Sequence, residues 1–402
     1  METGRRNPEK HAIVSVTNDL TTDQRVDRTC LTLVKAGYKV LLAGRIRPDS
    51  KTLAPRNYQV QRLRLLFEKG PLFYAEFNIR LFFFLLSHPS DLLVSNDTDT
   101  LPATFLAHKL LLFSYSLNKL LFNQKKSVQP LLLHDCHEYF IGVPELTGRM
   151  TVTAIWKWME NRIFPKLQHV IAVNQSVAEL YIQKYGIKIQ IIRNVPFRKK
   201  GTYINSKHGF DIRDGQKIII YQGAVNIDRG VEEAILAMQY LKTDALLIIA
   251  GTGDIFSRLQ NFISALGVKD KVMLTGQIPF QELHAITIKA DLGLSIEKDV
   301  CINYRYSLPN KFLDYIQARV PVLVSPFPEM KAIVDLYHIG TYIESHDPEK
   351  LAAQIDRILN DQGGLAVYKK NLEVAATVLC WENEEETLLQ LIDDMEKNQT
   401  KP

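Results

Sequence analysis

Short apolar runs, each followed by a stretch long enough for a helix, recur along this chain in two series, and no other feature limits the fold as much. The runs at 12–16, 40–43, 91–95, 131–133 and 170–173 show little alternation of polar and apolar residues. Strands of this kind are covered on both faces, as parallel strands flanked by helices are. Between them the chain spells helices: one ending at Gly37, then 74–86, 102–121, 152–164, and 176–185 with a stop at Gly186. The first series closes at 189–195. A second series has strands at 217–221, 245–250, 272–275, 292–295 and 320–324, with helices at 231–241, up to Leu266, and at 279–290. The segment separating the series is polar, basic and without apolar periodicity, the mark of a linker. The expectation is an α/β protein with two Rossmann-like, doubly wound parallel-sheet domains at 1–196 and 217–380, joined by a linker at 197–216. Tandem domains of this kind place a ligand at the C-terminal ends of their strands, in a cleft between them.

At 402 residues, 46% of them hydrophobic, the chain has apolar surface for roughly two to three domains, and two fits the two series. Its 49 Lys and Arg exceed its 44 Asp and Glu by a dispersed +5. That is too little to indicate nucleic acid, and it suits anionic ligands or an acidic membrane surface. Cys30, Cys136, Cys301 and Cys380 lie far apart without metal or redox spacing, as free thiols in a reducing cytosol would. A polar N-terminus, and apolar stretches interrupted by Arg80 or Lys109, give no expectation of a signal peptide or membrane span. The expected location is the cytoplasm, either free or at the cytoplasmic face of the inner membrane.

Four stretches carry chemistry. In Ser307-Leu308-Pro309-Asn310-Lys311-Phe312-Leu313-Asp314-Tyr315, Pro309 fits a first helical turn that Ser307 or Asn310 would cap. The N-terminus of such a helix is an anion site, and Lys311 and Asp314 share one face, able to meet phosphate and a sugar hydroxyl; the plain alternative is an ordinary α/β crossover. The run His134-Asp135-Cys136-His137-Glu138 looks like a metal cluster, but in an extended strand its side chains alternate and cannot converge on one ion, so no metal is expected. Gly251-Thr252-Gly253 lacks the third glycine of a dinucleotide fingerprint and reads as a tight turn. Asp19, Asp23 and Arg25 follow the first strand, as acceptor contacts or as helix caps.

Together, Tyr221-Gln222-Gly223, Asp228-Arg229-Gly230, Ile249-Ala250-Gly251-Thr252-Gly253-Asp254 and the 307–315 segment resemble the donor domain of glycosyltransferase family 4. Asn18-Asp19-Leu20, Arg25-Val26 and 134–138 are similar to that family's acceptor domain. The resemblance implies the two-domain GT-B fold, retention of anomeric configuration, and a nucleotide-diphosphate sugar as donor. It implies that the helix opening at Trp381, in the segment 381–402, crosses back to the first domain. By it, Arg229 and Lys311 grip the donor diphosphate, Gly223 and Gly230 let backbone approach it, and Gly251, Gly253 and Asn310 lie about the donor. Asp314 matches the second acid of the family's glutamate pair, on the ribose hydroxyls. Tyr306 stands where the first acid belongs, so the contact to the transferred sugar falls to Glu297 or Asp299. His137 matches a histidine beside the reacting sugar, with Glu138 orienting it and contributing to the acceptor site.

The expected reaction is transfer to a hydroxyl of a saccharide or lipid-linked saccharide in cell-envelope polysaccharide synthesis, with fixed cations stabilising the departing diphosphate and no cofactor. The same fold houses a nucleotide-sugar epimerase, and a non-catalytic binding protein is the other alternative. The apolar stretch 72–86 with Phe82-Phe83-Phe84, and the helix carrying Lys109 and Lys119 with Lys125 and Lys126 beyond it, would either seat the first domain on an anionic bilayer or pack its core.

Overall fold

The computed structural model describes residues 9–122, 129–143, 146, 148–199 and 213–399; Lys125, Lys126 and most of the expected linker lie outside them. The chain divides into two units. One holds the residues up to Arg193 together with those from Glu384 on, and the other is Asn194–Asn383.

The first unit runs β1 (Lys10–Ser15), α1 (Gln24–Lys35), β2 (Tyr38–Ile46), β3 (Gln59–Arg64), α2 (Gly70–Ser87), β4 (Leu92–Asn96), α3 (Asp97–Phe122), β5 (Leu131–Cys136), α4 (Met150–Ile163), β6 (His169–Ala172), α5 (Gln175–Tyr185) and β7 (Gln190–Ile191). Its strands form one sheet in the order β3-β2-β1-β4-β5-β6-β7, and every pairing is parallel. The winding reverses between β1 and β4, so the loops leaving these two strands diverge and open a crevice at their C-terminal ends. Two elements depart from the sequence expectation. The strand β3 is unannounced because an edge strand is covered on one side only, and Gln-Val-Gln-Arg-Leu-Arg alternates instead of running apolar. Helix α3 begins at Asp97, ahead of Pro102, which sits inside it.

The second unit runs β8 (Lys217–Gln222), α6 (Val231–Ala237), β9 (Ala245–Ala250), α7 (Phe256–Ala265), β10 (Val272–Gly276), α8 (Phe280–Thr287), β11 (Leu292–Ser295), α9 (Ile302–Arg305), α10 (Asn310–Ala318), β12 (Val322–Val324), α11 (Pro328–Tyr337), β13 (Gly340–Tyr342), α12 (Pro348–Asn360) and α13 (Gln362–Val378). Its sheet is also wholly parallel, in the order β10-β9-β8-β11-β12-β13, with the reversal between β8 and β11. Apolar side chains pack both faces: Ile218, Ile220, Leu246 and Ile248 on one side, Ile219, Tyr221, Leu247 and Ile249 on the other. This two-sided burial is why the strands read as unbroken apolar runs.

A last helix, α14 (Trp381–Gln399), supplies the residues that return to the first unit. There Leu388, Ile392 and Met395 are buried, Glu396 pairs with Lys10 at 2.6 Å and accepts from Tyr38, and Glu385 pairs with Lys35 at 2.7 Å. Among the described residues no helix is long and apolar enough to cross a membrane.

Candidate functional site

In the second unit, the loops leaving β8 and β11 carry Arg229 and Glu297, and α10 brings Lys311 to them. The Lys311 ammonium lies 2.7 Å from Glu297 Oε1, and the Arg229 guanidinium 3.9 Å from the same oxygen. Lys311 and Glu297 are buried, whereas the Arg229 side chain is 24% exposed, so the cluster meets solvent through its arginine. Tyr221 lies under the Lys311 ammonium at 3.9 Å and Tyr304 under the Arg229 guanidinium at 4.1 Å, fixing both cations on aromatic faces. Ser295 donates to Glu297 Oε2 at 3.0 Å. Burial pushes the Glu297 carboxyl up, but Lys311 and Arg229 outweigh it and hold it below its ordinary value. Burial pushes the Lys311 ammonium down, and Glu297 outweighs that in turn, so both groups are charged.

Two cations thus share one carboxylate, leaving a local charge of +1. The Lys311–Glu297 contact is close but out of line for a hydrogen bond, and Lys311 Nζ, Glu297 Oε1 and Arg229 Nε have no hydrogen-bond partner among the described residues. Buried polar atoms left open in this way mark a place for a ligand. The cap of α10 adds to it: Pro309 precedes the helix with no side-chain cap, contrary to the expectation for Ser307 or Asn310. Ser307 instead donates to the Tyr304 carbonyl, and exposed Asn310 accepts from Asn194 at 3.0 Å. Unpaired N–H groups and a positive dipole end therefore lie beside the cations.

Asp314 stands on the next turn, where Gln222 Nε2 donates to it at 3.0 Å; Gln222 in turn accepts from Thr287 at 2.7 Å. Asp299, the other acid considered for a sugar contact, is instead paired with Arg305 at 2.8 Å. The glycines close the loops on one another. Gly223 N–H donates to Ala250 O and Val225 N–H to Thr252 O, and a Cβ on Gly251 would lie 1.8 Å from Gly223 O. With φ of +154° at Gly251 and +110° at Gly223, this zipper admits no larger residue at Gly251. Gly253 approaches Val225 in the same way, and Gly230, at φ +79°, would drive a Cβ into Ile296 O at 2.3 Å. The loops bearing Arg229 and Glu297 are held together by this last contact.

In the first unit, the reversal between β1 and β4 gathers a different set. His137 follows β5, its Nδ1 3.5 Å from Asp97 Oδ2 and its Nε2 3.3 Å from Asp135 Oδ2. Its backbone N–H donates to Asp97 Oδ1 at 2.8 Å. Burial pulls the imidazole down, but the two carboxylates outweigh it and raise its pKa to about 9, which favours the imidazolium at neutral pH. The groups that orient its ring are Asp97, Asp135 and Asn96, whose Oδ1 lies 3.1 Å from His137 Nε2, where the sequence suggested Glu138; the Glu138 carbonyl accepts from Tyr181. Asp97 takes the left-handed conformation at φ +56°, an unusual choice outside glycine and one found at constrained sites. Buried Asp99 accepts from Thr17 through Oδ2, and its Oδ1 has no partner among the described residues. Burial, with Asp97 nearby, raises its pKa to about 7.

Asp19, Asp23 and Arg25 are each engaged within the unit, and Asp23 takes the capping role that the sequence left open. Arg25 is buried and donates to both Asp135 oxygens at 2.6 and 2.9 Å and to Ile192 O at 2.7 Å. Asp23 caps α1, accepting from Val26 N–H at 3.0 Å and from Asn18 at 2.6 Å. Asp19 accepts from Thr21 and from Ser50, which closes its loop. Sequence reasoning missed Asp97 and Asp99; the signal that could have found them was a polar run, Ser95 to Thr100, directly behind an apolar strand at a reversal of the sheet. Among the described residues no group of His, Cys, Asp and Glu is arranged to hold a metal ion.

Two doubly wound parallel units, each with its polar residues at the reversal of the sheet, define the GT-B class of fold, and known structures agree over nearly the whole length. Sucrose-phosphate synthase from Thermosynechococcus elongatus matches with a TM-score of 0.74 at 16% identity, covering 97% of this chain and 100% of that one. HepE of Anabaena, solved with UDP and glucose, matches with a TM-score of 0.70 at 14% identity, covering 96% and 100%. Residues 204–375, most of the second unit, match the model of the family described as glycosyl transferases group 1. A glycosyltransferase of Methanocaldococcus jannaschii, described as uncharacterized, is 28% identical over 169 residues; the match spans 40% of either chain, less than half the length of this relative. The family resemblance and the fold read from the sequence are both borne out.

Proposed function

We propose that the protein moves a sugar from a nucleotide-diphosphate donor to a hydroxyl of a saccharide or lipid-linked saccharide, retaining anomeric configuration, in cell-envelope polysaccharide synthesis. The observation that carries the donor half is the Arg229–Glu297–Lys311 cluster with its unfilled hydrogen-bonding atoms beside the uncapped start of α10. A diphosphate fits its charge and its donors. When the bond to the sugar breaks, negative charge grows on the departing diphosphate, and cations already fixed on Tyr221 and Tyr304 stabilise it without reorganising. Asp314, steered by Gln222, receives the ribose hydroxyls. Glu297 keeps Lys311 charged and placed, and contacts the sugar only if the arriving diphosphate displaces it from the cations. The presence of UDP and glucose in the HepE structure supports a donor of this class.

On the acceptor side, His137 acts as a fixed imidazolium beside the reacting sugar, and Asp97 and Asp99 offer carboxylate oxygens to hydroxyls. In this reading the acceptor proton passes to the departing diphosphate oxygens. The reading is tested by thermal shift against a panel of nucleoside diphosphates and nucleotide sugars, followed by NMR of the anomeric proton of the transfer product. Stabilisation by one nucleotide family, lost in Arg229→Ala and Lys311→Ala, with product of unchanged anomeric configuration, is the expected result. Absence of any shift at millimolar ligand overturns the donor reading, turnover of a nucleotide sugar without acceptor points to the epimerase, and an inverted product overturns retention alone.

A further inference from the structure

Helix α3 carries two apolar surfaces, and only one of them is used by the fold. Leu101, Ala103, Phe105 and Ala107 face the core. Leu106, Leu110, Phe113, Leu117, Leu120 and Leu121 face solvent, with Phe113 65% and Leu120 80% exposed. At about 100° per residue these six fall within about 100° of arc, and at about 1.5 Å per residue the stripe runs about 22 Å along the helix. Helical periodicity this regular is what a surface built for burial looks like, and a soluble monomer rarely leaves so much of it open. The helix α2, packed along α3, repeats the arrangement. Its Phe73, Phe77, Leu81 and Leu85 are core, while Leu72, Ile79 and Phe83 point outward. On α4, which packs against α3, Ile155 and Trp158 are likewise exposed. Of the alternatives the sequence leaves for these stretches, core packing accounts for the inward stripes alone.

The exposed charged residues on these three helices are all basic. Beyond its first turn α3 has no acidic residue, and Lys109 and Lys119 are exposed on it. On α4, Lys157 and Arg162 are exposed, Arg162 reaching over the Trp158 ring at 5.6 Å, while Glu160 is buried and paired with Lys184. The one acid of α2, Glu76, is engaged by Arg80 and by the backbone N–H groups of Leu66 and Phe67. Large apolar residues rimmed by uncompensated Lys and Arg, with an indole backed by a guanidinium, fit an anionic bilayer, whose acyl boundary takes the stripe while its headgroups meet the cations. No described helix is long and apolar enough to span, so the contact lies in the plane of the interface.

We infer that the exposed apolar stripes of α2 and α3, with Trp158 and the surrounding lysines and arginines, dock the first unit on an anionic lipid surface. This surface is independent of the sugar-transfer reading and stands if that reading fails. The test is sedimentation of the full chain with phosphatidylcholine vesicles, with and without phosphatidylglycerol. Wild type is expected to sediment with the anionic vesicles and to be released as salt rises. The triple variant Leu110→Ser, Phe113→Ser, Leu117→Ser lowers partitioning at least about tenfold. These side chains support no core, so the variant keeps its melting temperature. Trp158 gives a second readout, because Trp156 and Trp381 are buried: anionic vesicles shift the emission to shorter wavelength, and Trp158→Phe removes the shift. Wild type that stays in the supernatant overturns the proposal, as does equal sedimentation of wild type and triple variant. A concentration-dependent dimer seen by light scattering, abolished by the same variant and without vesicle binding, assigns the face to a second copy instead.

Discussion

Replacing Glu297 by glutamine tests the cluster most directly, because the amide keeps the shape and removes the charge. At an effective dielectric near ~20, the gross attractions at 2.7 and 3.9 Å are about 6 and about 4 kcal/mol. Desolvation offsets much of that, and removing one partner of a buried pair costs about 3–5 kcal/mol net, since Lys311 is left buried without a counter-ion. For a unit of this size that lowers Tm by about 6–20 °C. The ligand response should move the other way. With the carboxylate gone the arriving diphosphate need not displace it and itself supplies the counter-charge to Lys311 and Arg229, so a nucleoside diphosphate binds about tenfold more tightly and its stabilising shift at a fixed concentration exceeds that of wild type by about 3–6 °C. Differential scanning fluorimetry with and without nucleoside diphosphate reads both numbers on one plate. A variant that melts with wild type shows that Lys311 does not depend on Glu297; one that melts low but responds less to nucleotide makes Glu297 itself a nucleotide contact, and either result refutes the argument.

Arg25→Met is expected to cost about 3–5 kcal/mol, because Asp135 is left charged and buried, while acceptor KM measured well below the melting temperature stays unchanged; a raised KM without loss of stability would restore Arg25 to the acceptor site. His137, with a folded pKa raised to about 9 against an ordinary 6.5, contributes stability that is full below about pH 6.5 and is lost as pH rises to about 9. The Tm of wild type should fall across that window, and His137→Gln should flatten the fall; identical profiles would show that the imidazolium is not held by Asp97 and Asp135. Gly251→Ala places a methyl 1.8 Å from Gly223 O, so it should open the loop zipper and abolish nucleotide-induced stabilisation, whereas a nucleotide response equal to wild type would show that the zipper does not position the site.

Strands covered on both faces write their burial as contiguous apolar residues, so 245–250 or 91–95 announce themselves without any knowledge of neighbours. The edge strand Gln59–Arg64 does not, because its exposed side admits polar residues. The cluster of Arg229, Glu297 and Lys311 was half legible. Lys311 and Asp314 are linked by helical spacing, and Glu297 was one of two acids considered, but its position between two cations depends on β11 lying beside β8, which no local pattern states. The pairing of Arg25 with Asp135 and the left-handed turn at Asp97 are further from reach. One joins residues 110 apart in sequence, and the other is a backbone angle that aspartate adopts more readily than most residues but that an aspartate does not by itself announce.

The first unit is completed by residues far down the chain: Lys10 meets Glu396, a sequence separation of 386. At about 5–20 residues per second, a ribosome that has finished β1 needs about 20–80 s to deliver its partner helix. During that interval the faces of α1 and β2 that α14 will cover are open, and the second unit, contiguous in sequence, can fold first. Order of synthesis and order of completion are therefore reversed in this chain. A stalled or prematurely released chain exposes the side chains awaiting Leu388, Ile392 and Met395, which gives quality control a surface by which to recognise an unfinished molecule.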